Sequence, residues 1–179
     1  MLLALVANLP TVPGGSFRAT PLGNYDSARA VDSDVLEGYG SQIAPKLPNI
    51  LRIGFQNMGG FSTKQNTLKD DIIRKGLKQW EFDIFGMVET NIDWRLASEY
   101  EKLHFRTREW WESSHISYSY NCSDIPIKKH QHGGTAIFSI DKSAHRVSGK
   151  GVDPSMLGRW CWTQYKGCNN HSLYVISAY

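Results

Sequence analysis

The sequence has few cysteines and no long hydrophobic run. Its three cysteines, Cys122, Cys161 and Cys168, are odd in number, and none has CxxC spacing. They indicate neither a disulfide framework nor a zinc site, so we expect a reducing, intracellular compartment, nuclear or cytoplasmic. No stretch approaches the roughly 18 consecutive apolar residues of a transmembrane helix, and we expect no membrane partner.

The sequence also lacks a strong excess of either charge. The sequence has 20 basic and 17 acidic residues, which gives a net charge of +3. So small an excess is compatible with nucleic acid as a partner but does not point to it. The apolar start MLLALVA has no basic n-region, and NLPTVPGG after it is not a convincing cleavage site, which argues against a secretory signal. A hydrophobic fraction of 41% supports one domain with a core.

Proline content divides the chain near residue 49. Residues 1–48 hold five of the seven prolines and show no sustained hydrophobic periodicity. They are predicted to be a poorly ordered leader. Residues 49–179 alternate apolar runs with Gly and Asn turns, and we interpret them as one α/β domain.

Two predicted strands near the start of this domain end in polar side chains. The run ILRIGFQN, residues 50–57, stops at Asn57 just before a pair of glycines. The run FDIFGMVE, residues 82–89, is almost continuously apolar until Glu89, as expected of a strand covered on both faces. With a helix between them, the two strands should lie parallel, with their carboxyl ends at one edge of the sheet.

The helix between these strands is predicted over residues 62–80. Apolar side chains recur there at helical intervals, and Ser62 and Gln65 have the spacing of a capping box. The run KDDIIRK, residues 69–75, is interpreted as a solvated face of this helix. A second helix is predicted over residues 97–111. Strands are predicted over residues 116–120, 133–140, 158–165 and 172–179.

Asn57 and Glu89 form the strongest candidate site. They should meet at the strand edge where open α/β sheets place ligands. A carboxylate buried after an apolar strand needs a cation or hydrogen-bond donors, and its oxygens suit Mg²⁺. The spacing alone favours a plainer reading, in which Asn57 is a turn residue and Glu89 leaves the sheet into solvent.

Four segments in order resemble one known superfamily. LRIGFQNMGG, DIFGMVETN, GGTAIFS and GRWCWTQYKG with LYVISAY are similar to strands of the endonuclease/exonuclease/phosphatase superfamily. That superfamily includes exonuclease III-type enzymes, DNase I and LINE-type retrotransposon endonucleases. Over residues 49–179 the resemblance implies catalytic roles for Asn57 and Tyr179, and Mg²⁺ or Mn²⁺ held by Glu89. It also implies a DNase I-like sandwich of two sheets, one mixed, with helices outside.

The sequence departs from this pattern after Tyr179. The family continues with an Asp-x-Asn strand end, a further Asp and an Asp-His pair, whereas neither GDxN nor SDH occurs in this chain. The resemblance therefore implies a truncated sandwich that is inactive alone. Its partner would be the rest of the domain, or an attached reverse transcriptase in a full-length relative.

The activity implied is Mg²⁺-dependent phosphodiester hydrolysis, with an endonuclease of mobile-element type acting on nucleic acid as the leading hypothesis. A lipid or inositol phosphatase of the same fold is the first alternative. The second is a non-catalytic remnant that binds nucleic acid or protein through its aromatic strands.

Basic side chains offer weaker candidates for nucleic-acid contacts. Lys128 and Lys129 lie in a predicted flexible loop and can reach a phosphate backbone. Arg159 can do the same, although an ion pair on the strand face is its default role. His130 and His132 have HxH spacing but no Cys or carboxylate partner nearby in sequence, and we favour a basic loop over a metal site.

Overall fold

Two β-sheets packed face to face form the framework of the chain. The computed structural model describes residues 2–8, 44–64, 66–123 and 130–179, with side chains described from residue 44 onward. The strands are β1 Leu2–Asn8, β2 Ile50–Asn57, β3 Ile84–Val88, β4 Ser114–Ser119, β5 Thr135–Ile140, β6 Val147–Val152, β7 Trp160–Lys166 and β8 Ser172–Ala178. The α-helices are α1 Leu68–Trp80, α2 Leu103–Trp110 and α3 Lys142–His145.

The larger sheet is mixed and the smaller one is antiparallel. The larger has the order β1-β2-β3-β5-β4, and the smaller has the order β6-β7-β8. β2 and β3 are parallel, as the strand–helix–strand pattern predicts, and Asn57 lies opposite Val88. The other strand pairs are antiparallel. The predicted α/β class, with a mixed sheet and outer helices, is confirmed.

The first described segment is a strand that the sequence analysis does not anticipate. β1 pairs antiparallel with β2 along the edge of the larger sheet, from Leu2 opposite Gln56 to Asn8 opposite Ile50. It belongs to the segment of residues 1–48 that was predicted to be a leader, and residues 9–43 lie outside the described part. A short apolar run forms a strand only when a neighbouring strand supplies its hydrogen bonds, so composition alone did not reveal β1.

Helix α1 begins later than the sequence pattern suggests. The Thr67 side chain accepts from the Asp70 amide, and the Asp70 carboxylate accepts from the Thr67 amide, which completes a capping box. The predicted box at Ser62 was wrong, since the helix starts at Leu68, and its partner Gln65 lies outside the described residues. Both pairs share the same spacing, so sequence alone did not separate them.

The second predicted helix is shorter than its pattern. Two 3₁₀ turns, Trp94–Leu96 and Glu99–Glu101, precede α2. Lys102, which links the second turn to α2, has an extended backbone with φ −62° and ψ 151°. The predicted continuous helix over residues 97–111 was therefore wrong in its first half. Among the described residues, no helix is long and apolar enough to cross a membrane.

The central strands are buried on both faces, and the two faces differ in chemistry. One face packs under α1 and α2 through Phe85, Met87 and Phe138. The other contacts the smaller sheet and includes hydroxyl groups. The Tyr165 hydroxyl lies 2.7 Å from Ser139 Oγ, and burial raises the pKa of Tyr165 to about 12. This polar layer is paired across the sandwich, which specifies how the sheets dock.

One histidine in this layer makes stability depend on pH. His115 on β4 is half-buried, and its Nδ1 finds no hydrogen-bond partner among the described residues. Burial, with the nearby Lys150 charge, lowers the pKa of His115 below its ordinary 6.5. The neutral ring is therefore favoured in the folded protein, and its stabilising contribution is present above pH 6.5 and lost as pH falls through the lowered pKa.

We expect urea unfolding to show a loss of stability below pH 6.5 that His115→Gln removes. The measurement is the free energy of unfolding between about pH 7 and 5 for both proteins, since carboxylates titrate mainly below this window. Parallel curves for the two proteins would contradict the assignment.

Candidate functional site

Asn57 and Glu89 meet at the edge where β2 and β3 end. The Asn57 Nδ2 group donates to Glu89 Oε1 over 2.7 Å. Asn57 is exposed and Glu89 is half-exposed, so both side chains are open to a ligand. The structure thus brings together the two residues that the sequence analysis placed at one sheet edge, and the parallel register explains why.

The backbone after β2 determines which way the Asn57 amide points. The Gly59 N–H donates to Asn57 Oδ1 over 2.9 Å. Because an N–H can donate only to an oxygen here, this bond places Oδ1 on the loop side and Nδ2 on the Glu89 side. Gly59 and Gly60 have φ values of +56° and +94°, and these allow the chain to turn directly behind the amide.

Glu89 itself has an unusual backbone conformation. Its φ is +54°, in the left-handed region that costs a residue with a Cβ about 1–2 kcal/mol. The neighbouring hydrogen bonds hold it there, since Met58 N–H donates to Val88 O and Gly60 N–H donates to Glu89 O, each over 2.8 Å. Strain of this kind is concentrated at functional sites.

The chain following Glu89 is supported by the paired glycines that precede β5. Thr90 N–H donates to Gly134 O over 3.1 Å, and Asn91 N–H donates to Gly133 O over 2.8 Å. A Cβ at Gly134, where φ is +93°, would lie 2.1 Å from Thr90 Oγ1. Glycine is therefore required at this position. The two hydrogen bonds to Gly133 and Gly134 hold the backbone that directly follows Glu89.

Tyr179 and Arg159 are backbone neighbours in the smaller sheet. Tyr179 N–H donates to Arg159 O over 2.8 Å, and the Tyr179 side chain is 58% exposed. Since side chains alternate along a strand, Tyr179 lies on the same face of β8 as Ser177. That face looks toward the larger sheet, because Ser177 Oγ donates to Met87 O over 2.9 Å.

The direction of β8 places Tyr179 at the same end of the sandwich as Glu89. At one end of β8, Leu173 pairs with Tyr165, whose hydroxyl contacts Ser139. Ser139 in turn lies opposite Ile84 at the start of β3. Further along β8, Ser177 contacts Met87 near the end of β3. β8 therefore runs in the direction of β3, and the three residues that the resemblance selects lie at one end.

The remaining loop candidates are Lys128, Lys129, His130 and His132. Lys128 and Lys129 lie outside the described residues. His130 and His132 are exposed, with ring centroids 5.0 Å apart. No group of three or more His, Cys, Asp or Glu side chains able to hold a metal ion occurs within residues 2–8, 44–64, 66–123 and 130–179.

Lys69 is a residue of this region that the sequence analysis missed. Its Nζ donates to Met58 O over 2.8 Å and to Gly60 O over 2.5 Å. The prediction of a solvated helix face was wrong for Lys69, which is half-buried, and for Asp70, which is 3% exposed. One signal was available, because a lysine in the first turn of a helix opposes the helix dipole and needs another partner.

Comparisons with known proteins find a likeness among solved structures. No family model and no curated protein matches the chain. Among solved structures, an AP endonuclease from Archaeoglobus fulgidus is similar with a TM-score of 0.46 and 20% sequence identity. The match covers 72% of this chain and 40% of the endonuclease chain.

Proposed function

We propose that residues 49–179 form the metal-binding portion of an Mg²⁺-dependent phosphodiesterase that acts on nucleic acid, an endonuclease of mobile-element type. One observation carries the proposal, the hydrogen bond of 2.7 Å between Asn57 and Glu89 at an exposed strand edge. It supports the roles that the motif resemblance implies for these residues.

The donor set fits a divalent cation that keeps most of its water. The Asn57 amide occupies Oε1 of Glu89, which leaves Oε2 available to a cation. Mg²⁺ typically binds one or two protein carboxylates and completes its shell with water and substrate phosphate oxygens. A single half-exposed carboxylate matches that preference, and Mn²⁺, which also favours oxygen ligands, would fit the same place.

Each residue then has a separate task. When bound, Mg²⁺ neutralises charge on the phosphate oxygens. Glu89 holds the cation, and Asn57 keeps the carboxylate in one orientation. The Tyr179 phenol donates a hydrogen bond to a phosphate oxygen. Lys128, Lys129 and Arg159 contact the backbone of the nucleic acid.

Hydrolysis also requires a group that takes the proton of the attacking water. The resemblance assigns that task to the Asp-x-Asn and Asp-His motifs, which do not occur in this sequence. We therefore propose that this chain binds the cation and the phosphate but needs those motifs from additional polypeptide to cleave.

Replacing Glu89 with Gln tests the proposal directly. The substitution retains the shape of the side chain and a carbonyl oxygen for Asn57 but removes the charge that attracts the cation. We expect Mg²⁺ and Mn²⁺ affinity, measured by isothermal titration calorimetry, to fall at least about 10–100-fold.

Glu81→Gln is the matched control for this substitution. Glu81 is an exposed glutamate that also has a left-handed backbone, with φ +50°, but it ends α1 away from the candidate site. Its variant should bind the cation as the unaltered chain does. Equal affinities for Glu89→Gln and the unaltered chain would refute the metal role and favour the non-catalytic interpretation.

A further inference from the structure

Lys69 bonds two peptide groups at the start of the loop between β2 and α1. Lys69 Nζ donates to Met58 O over 2.8 Å and to Gly60 O over 2.5 Å. A peptide unit is planar, and its C=O and N–H point in opposite directions. Fixing the carbonyl of Met58 therefore fixes the N–H of Gly59, and fixing the carbonyl of Gly60 fixes the N–H of Phe61.

The far ends of these two peptide groups reach both sides of the candidate site. Gly59 N–H donates to Asn57 Oδ1 over 2.9 Å. Phe61 N–H donates to Thr90 O over 2.8 Å. Asn57 contacts the Glu89 carboxylate, and Thr90 is the next residue after Glu89. The Lys69 ammonium is thus joined to the Glu89 side chain through Asn57 and to its backbone through Thr90.

The two hydrogen bonds from Lys69 matter because Gly59 and Gly60 leave the backbone dihedral angles of the loop free to change. The conformations of Gly59 and Gly60, with φ +56° and +94°, are readily exchanged for others in a glycine. A Cβ at Gly59 would meet nothing within 4 Å, so packing around Gly59 itself does not restrain its conformation. A cation bonded to both carbonyls restrains it instead, since charge-assisted hydrogen bonds are about twice as strong as neutral ones.

We infer that Lys69 is a positioning residue that holds the Asn57 amide with Nδ2 toward Glu89, and thereby presents the free oxygen of Glu89 outward. The orientation of the Asn57 amide depends only on contacts within the metal-free chain. The consequence for cation affinity rests on the proposed function of Glu89.

The first measurement follows the Asn57 side-chain amide by NMR in the metal-free chain. We expect Lys69→Met to shift its resonances and to speed exchange of its hydrogen-bonded proton about 10-fold or more, since the Gly59 peptide is released. Lys75→Met is the control, because Lys75 is exposed on the same helix. Lys69→Arg, which retains a charged donor, should restore the unaltered resonances at least in part.

An internal reference separates positioning from general loosening. The Gln164 side-chain amide donates to Ser172 Oγ over 3.0 Å in the smaller sheet. Positioning by Lys69 predicts that Lys69→Met changes the Asn57 amide and leaves the Gln164 amide unchanged. Equal changes in both amides, or no change at Asn57, would overturn the inference. If Lys69→Met does not fold, Lys69→Gln, which also removes the charge, takes its place, and an Asn57 amide that is unchanged in Lys69→Gln overturns the inference too.

The second measurement is Mg²⁺ affinity by calorimetry on the same proteins. We expect Lys69→Met to weaken binding about 10-fold, the lower end of the effect of removing a group that orients a metal ligand. If the unaltered chain binds no cation while the Asn57 amide still responds to Lys69→Met, the positioning role stands and the proposed function fails. An altered Asn57 amide with unchanged affinity would overturn the link from Lys69 to the cation.

Discussion

Replacing Arg106 with Met is expected to lower the free energy of unfolding by about 3–5 kcal/mol, because it leaves a buried charge without its partner. Arg106 is fully buried, and its Nε lies 2.8 Å from Oδ1 of Asp70, which is also buried. Its guanidinium further donates to the carbonyls of Ser62, over 2.8 Å, and Lys64. The substitution therefore also removes the hydrogen-bond donors to two carbonyl groups of the loop that precedes α1.

Arg108→Met is the matched control for this prediction. Arg108 is exposed on the same helix, and its variant should change stability by less than about 0.5 kcal/mol. Urea unfolding followed by circular dichroism provides both values. The double variant Arg106→Met with Asp70→Leu should recover part of the loss, since replacing both charges avoids an unpaired one. Equal midpoints for Arg106→Met and Arg108→Met would show that the buried pair contributes nothing.

Leu77→Ala is expected to cost about 2–5 kcal/mol through the cavity it leaves. Leu77 is 2% exposed and belongs to the core cluster between α1 and the larger sheet, together with Ile73 and Phe85. Neighbouring strands are paired on both sides of β3, so the sheet cannot collapse into the space.

Leu68→Ala provides the comparison within the same helix. Leu68 is 77% exposed at the first position of α1, and we expect its loss to change stability by no more than about 0.5 kcal/mol. Thermal and urea unfolding should rank the two variants in this order. A Leu77→Ala protein as stable as Leu68→Ala would contradict the placement of α1 on the sheet.

The Asn57–Glu89 contact illustrates how far a pattern can predict a site. Two apolar runs joined by a helix imply parallel strands, and each run ends at a polar residue, so the shared edge follows from chain direction alone. The hydrogen bond between the side chains and the left-handed backbone of Glu89 do not follow from it. Their roles in metal binding stay predictions.

Lys69 and Asp70 illustrate the opposite case. Both lie in a run that has the charge pattern of a solvated helix face, yet one binds two loop carbonyls and the other pairs with Arg106, 36 residues away. Charge patterns report which side chains prefer water, but a loop or a second helix packed over the face changes the available partners.

By itself, the sequence determined the order of α1, α2 and every described strand except β1 and β6. It also determined the parallel start of the domain and the two polar strand ends, because these depend on periodicity and chain direction. Only the tertiary structure decided that the residues 2–8 join the sheet edge, that Arg106 and Asp70 pair, and that Lys69 lies behind Asn57. Those contacts join residues distant in the chain, and hydrogen bonding across such distances leaves no periodic mark in the sequence.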